Sequence, residues 1–146
     1  MAIKNVYIAD DDIDDIEFFA EALYQVDKTA VLTNGKNGVE LLKKLLYPEP
    51  PTPDIIFLDI NMPLMNGLEC LKEIKQHLHL KHIPIVMYTT SALTSTIELA
   101  YRLGANLLVE KPAEFDKLKN ILSSILGIDF TAQSQPDKSQ FVYKAS

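Results

Sequence analysis

A single cysteine, Cys70, in 146 residues leaves no internal disulfide and no multi-cysteine zinc site. Its place within a helical pattern reads as an inert, half-buried thiol. Positive charge is also scarce. Lys and Arg number 14 against 20 Asp and Glu, and the net charge of -6 leaves no basic surface for binding nucleic acid through its phosphates. No segment approaches about 18 uninterrupted apolar residues, and the first apolar run meets acids at Asp10, too early for a signal sequence. These absences predict a soluble, cytoplasmic protein with neither a nucleic-acid nor a membrane partner. The length suits one domain whose core needs no metal or disulfide staple.

What is present centres on the run from Asp54 to Gly67. Ile55 to Leu58 lacks polar alternation, which suits a strand buried on both faces of a parallel sheet. Asp59 stands where the chain leaves that strand, Pro63 forbids its immediate continuation, and Asn66-Gly67 reads as a turn and cap for a helix over Leu68 to Leu78. Similar apolar runs predict strands at Val6 to Ala9, Ala30 to Leu32, Ile85 to Tyr88 and Leu107 to Val109. Between them the period changes to that of helices. Asp12 caps a face of Ile13, Ile16, Phe19, Ala20 and Leu23; Val39, Leu42, Leu45 and Leu46 line a second helix after the turn Asn34-Gly35. Thr94 to Leu103 is a fourth helix closed by Gly104, and Phe115, Leu118, Ile121, Leu122 and Ile125 mark a fifth ended by Gly127. The prolines between Tyr47 and Pro53 make a stiff connection into the central strand. His77, His79 and His82 have no accompanying Cys or carboxylate cluster and read as a solvated helix end.

Strands alternating with helices through short connections predict an α/β fold with a doubly wound five-stranded parallel sheet. For this length the order 2-1-3-4-5, flavodoxin-like, fits, with its switch point between the first and third strands. Asp10 and Asp11 end the first strand, Asp59 the third, Thr89 the fourth and Lys111 the fifth. One crevice then receives three carboxylates, a hydroxyl and an ammonium. Carboxylates so close repel unless a cation intervenes, and Mg²⁺ prefers oxygen ligands of the kind Asp10, Asp11 and Asp59 supply. Asp59 can act as a nucleophile toward a phosphoryl group, with Lys111 pairing its oxygens and the Thr89 hydroxyl donating to another.

The order and spacing of Asp10-Asp11, Leu58-Asp59-Ile-Asn-Met-Pro63, Asn66-Gly67, Thr89, Gly104-Ala105 and Lys111-Pro112 resemble the CheY-like receiver domain of two-component response regulators. The resemblance covers Ile3 to about Gly127. It implies that Asp59 accepts a phosphoryl group from a phosphohistidine on a sensor histidine kinase or histidine phosphotransfer protein. It implies direct Mg²⁺ ligation by Asp11, Asp59 and the Asn61 carbonyl, with Asp10 acting through water, and phosphoryl contacts from Thr89 and Lys111. The product would be a switch acting on a downstream protein, a monomer or weak homodimer, and no enzyme beyond slow loss of its own phosphoryl group. One position departs from the pattern: Leu108, three residues before Lys111, stands where receivers with a rotating aromatic carry Tyr or Phe.

Other readings fit less well. An aspartate-nucleophile phosphohydrolase wants a second acid two residues after the nucleophile, where this chain has Asn61. A phosphorylation-independent binding module of the same fold is expected to have lost acids or the lysine, and none is lost. A flavin-binding protein would cradle phosphate where Asp10-Asp11-Asp12 stand. The domain is expected to span residues 1–127. Residues 128–146, rich in Gln, Ser and Lys with scattered aromatics, read as a flexible polar tail or a segment that orders on a partner.

Overall fold

Five parallel strands form one sheet in the order β2-β1-β3-β4-β5: β1 (Asn5–Ala9), β2 (Val31–Gly35), β3 (Ile55–Leu58), β4 (Ile85–Thr89) and β5 (Leu107–Glu110). The structure, a computed structural model, describes residues 3–47, 52–90, 93–131 and 135–143. Helices α1 (Ile13–Val26), α2 (Gly38–Leu46), α3 (Gly67–Gln76), α4 (Thr94–Arg102) and α5 (Phe115–Leu126) alternate with the strands, and a short α6 (Lys138–Phe141) follows. Successive strand residues point to opposite faces, and both faces are covered. Val6, Ile8, Ile55, Phe57, Val86 and Tyr88 pack with Phe19 and Leu23 of α1 and Leu118 and Leu122 of α5. Tyr7, Ala9, Ile56, Leu58, Met87 and Leu108 pack with Leu41 of α2, Leu71 and Ile74 of α3 and Ala100 of α4. This double burial is why β3 and β4 read as unbroken apolar runs.

The structure departs from the sequence reading at several boundaries. β2 continues through Asn34-Gly35, because Ile8 and Ala9 pair with them and their conformation is set by the neighbouring strand. Helix α3 stops at Gln76 with His77 as its cap, so Leu78 is exposed while Leu80 and Ile83 enter the core instead. Ile13 and Leu46, assigned to apolar helix faces, are exposed. Most of the proline-rich connection lies outside the described residues. Residues 128–146 read from sequence as a flexible polar tail or a segment that orders on a partner, and within them the structure describes 135–143. Those residues lie against α4 and β5, with Phe141 fully buried and Val142 bridging Leu108 in parallel. A segment too short to fold alone still adds to a core that already exists.

Candidate functional site

The first and third strands bring their acids together through the backbone. The Asp59 N–H donates to the Ala9 carbonyl (2.9 Å), and the Asp10 N–H donates to Gly35 (3.0 Å), so both carboxylates leave the sheet at the same edge. Asp10 is fully buried and Asp59 nearly so, whereas Asp11 is exposed. Asp12 caps α1, its side chain accepting from the amides of Asp14 and Asp15, and its own N–H donates to Asp10 (3.0 Å). The start of α1 is thereby fixed beside the strand end, where its dipole favours negative charge.

Lys111 reaches this cluster from β5. Its N–H donates to the Thr89 carbonyl (2.7 Å), which ties the chain after β5 to the end of β4. Its ammonium lies 2.7 Å from Asp10, 2.9 Å from Asp15 and 3.4 Å from Asp59, and 5.4 Å from the centre of the Tyr88 ring. Burial works against its charge, but the bonds to Asp10 and Asp15 outweigh that and hold the ammonium above the usual lysine range. Burial likewise raises the Asp59 carboxyl to about 6. The Lys111 charge opposes that rise, the Asp10 charge adds to it, and the Asn61 N–H opposes it by donating to the carboxylate.

Behind Asp59 the backbone is tightly constrained. The Gly67 N–H donates to the Ile60 carbonyl (2.9 Å), and a β-carbon at Gly67 would collide with the carbonyl of Asp59. Leu64, exposed in the same loop, stands at φ 67°, a left-handed conformation costing a residue with a β-carbon about 1–2 kcal/mol. Asn66 closes the loop with a capping box to Glu69.

Of the residues assigned from sequence, Asp10, Asp11, Asp59 and Lys111 therefore form one cluster. Asn61 joins it through its backbone. Thr89 is wholly buried at the end of β4, and its carbonyl meets Lys111. Asp15 is the member that sequence reasoning missed. The signal was available: with Asp12 as cap, Asp15 is in the first helical turn, directly over the strand end.

Oxygen atoms of Asp10, Asp11 and Asp59 lie within 4.8 Å of one another, the one such group among the described residues able to hold a metal. Four carboxylates here, counting Asp15, face a single ammonium. The surplus of negative charge and the all-oxygen donor set fit a hard divalent cation.

Residues 6–123 match the response regulator receiver domain. The chain belongs to that family. It is 34% identical over 115 residues to a probable cyclic di-GMP phosphodiesterase of Vibrio cholerae, covering 79% of this chain but 25% of that protein. Response regulator Rcp1 of Synechocystis is 37% identical over 83 residues, 57% of this chain and 54% of Rcp1. This receiver chain thus spans about a quarter and about half of the lengths of those relatives. The phosphorylated cyanobacterial phytochrome response regulator RcpA superimposes with a TM-score of 0.80 at 30% identity, covering 93% of this chain and all of RcpA. The Mn²⁺-bound form of Rcp1 does so at 0.76 and 28% identity, over 86% of this chain and 96% of that one. Among the described residues no helix of this receiver is long and apolar enough to cross a membrane.

Proposed function

We propose that this receiver is a phosphorylation switch of the cytoplasm, operating within residues 1–127. Asp59 accepts a phosphoryl group from a phosphohistidine on a sensor kinase or histidine phosphotransfer protein, and the modified surface is read by a downstream protein. The observation that carries this reading is the juxtaposition of the Asp10, Asp11 and Asp59 oxygens with the Lys111 ammonium at 3.4 Å from Asp59. A nucleophilic carboxylate, oxygen donors for a metal and a compensating cation meet at one strand edge.

In the transfer, an Asp59 oxygen bonds to phosphorus as the phosphorus–nitrogen bond to the donor imidazole breaks, leaving an acyl phosphate and a neutral histidine once a proton is returned. Mg²⁺ held by Asp11, Asp59 and the Asn61 carbonyl, with Asp10 through water, would neutralise charge on the transferring oxygens. Lys111 is already beside Asp59 and carries its charge at neutral pH, so it pairs with the incoming phosphoryl oxygens by leaving Asp10 or Asp15. The Thr89 hydroxyl donates to another of those oxygens. Loss of the group follows when water attacks phosphorus, releasing orthophosphate and restoring the carboxylate. This makes the protein a switch with a limited lifetime rather than an enzyme acting on a separate substrate.

Phosphoramidate, whose phosphorus–nitrogen bond stands in for phosphohistidine, tests the assignment. The chain is incubated with it and Mg²⁺, reduced with borohydride and digested, and the peptide containing residue 59 is expected to carry the reduced side chain. Reduction at a different acid, or at none, would overturn the role of Asp59.

A further inference from the structure

Residues 135–143 lie beyond the span that matches the receiver family, yet they are anchored at both α4 and β5. On α4, the Gln135 amide donates to the carbonyls of Tyr101 (2.6 Å) and of Ala105 (2.8 Å), just past the helix. The Tyr101 hydroxyl donates to Pro136 (2.9 Å), and Lys138 pairs with Glu98 (3.2 Å). On β5, Val142 bridges Leu108 and the Tyr143 N–H donates to the Leu108 carbonyl (2.8 Å). Between these anchors Phe141 is fully buried in the cluster of Met87, Ala100, Ala105 and Leu108, its ring edge-on to Tyr101 at 5.2 Å. The strand position that lacks an aromatic, Leu108, is thus packed in one cluster with an aromatic delivered by the tail.

We propose that residues 135–143 form a latch over the α4–β5 face whose docking opposes phosphorylation of Asp59, and that phosphorylation releases it to bare that face to a protein partner. This rests on the phosphoacceptor reading given above. The latch holds two elements at one spacing, and β4 and β5 connect that spacing to the site. Thr89 is two residues past Met87 on β4, and Lys111 is three past Leu108, its N–H bonded to the Thr89 carbonyl. When Thr89 and Lys111 shift toward a phosphoryl group, the ends of β4 and β5 are drawn with them, and β5 moves against α4. Because Phe141 already fills its pocket, a change in the α4–β5 spacing breaks contacts at one anchor or the other. By linkage the coupling is reciprocal: what loosens the latch favours the phosphorylated form.

Beryllofluoride with Mg²⁺, a stable mimic of the phosphoryl group, tests this on the full chain by calorimetric titration and hydrogen exchange. Beryllofluoride is expected to speed exchange of the Tyr143 amide about tenfold or more. Phe141→Ala is expected to bind beryllofluoride at least about fivefold more tightly than the unaltered chain, the lower end of typical allosteric couplings. Should Phe141→Ala fold poorly, Gln135→Ala removes two part-buried hydrogen bonds while leaving Phe141 in place, and its affinity is expected to rise in the same sense. Binding of beryllofluoride with unchanged Tyr143 exchange, or with unchanged affinity in the folded variants, overturns the latch and leaves the role of Asp59 standing. Failure of the folded chain to bind beryllofluoride at all overturns both. Tyr143 protection that rises with protein concentration overturns docking in cis and assigns the groove to the tail of a second copy.

Discussion

Asp59 is held in a surrounding that disfavours its own charge. Its carboxyl titrates near 6 rather than 3.8, chiefly through burial, so between those values the folded chain binds a proton that the unfolded chain does not. Stability attributable to this group is therefore greatest below about pH 4 and falls as pH rises toward 6. Asp59→Asn, measured by urea denaturation at pH 7.5 with chelator, is expected to be more stable than the parent by roughly 1–3 kcal/mol and to lack that slope. Equal stability at both ends of the window would show that Asp59 is not strained by charge. Lys111 has the opposite role. It compensates the fully buried Asp10 at 2.7 Å, and Lys111→Ala leaves that carboxylate buried without its cation, an expected cost of about 3–5 kcal/mol. Mg²⁺ restores part of that loss if it occupies the same cluster; a loss indifferent to Mg²⁺ would count against the metal assignment. Asp15 went unnoticed because no strand end supplies it. Its relation to Lys111 comes from the capped start of α1, which the Asp12 cap signals once the first helical turn is counted along with the strand ends.

At the scale of elements, the segment from Asp59 to Gly67 sets the position of the Asp59 carboxylate. Gly67 is there because its missing β-carbon makes room for the Asp59 carbonyl, and its N–H reaches Ile60. Gly67→Ala is expected to cost about 1–3 kcal/mol by overpacking and to weaken Mg²⁺ binding, read by thermal unfolding with and without the ion. An unchanged response to Mg²⁺ would show the loop to be independent of the site. The inner strands were legible in the sequence because they are buried on both faces, so nothing polar interrupts Ile55 to Leu58 or Ile85 to Tyr88, whereas the edge strand β2, with Val31 exposed, was read only in part. Boundaries were less so. Asn34-Gly35 carries turn residues yet continues β2, because pairing to β1 overrides local preference, and the apolar period through Leu78 hides the cap at His77. The tail was the least legible. Phe141 and Val142 are too few to suggest an element, and their value lies in a groove made by α4 and β5, which distant parts of the sequence build.

For the whole molecule, the sheet delivers acids, hydroxyl and lysine to one edge and leaves the face of α4 and β5 under residues 135–143. In the proposed switch, a small charge change at Asp59 is joined to a packing change at the far side of β4 and β5. The excess of carboxylates suits a divalent ion, and on the proposed reading an anionic phosphoryl group at Asp59 would call for that ion and Lys111 together. The role of Asp59 is tested most directly by intact mass after incubation with acetyl phosphate, with and without Mg²⁺, beside Asp59→Asn. One phosphoryl group, gained only by the unaltered chain and only with Mg²⁺, labile to hydroxylamine, is the expected result. A folded chain that gains none with Mg²⁺ bound, or an Asp59→Asn chain that gains one equally well, would contradict it.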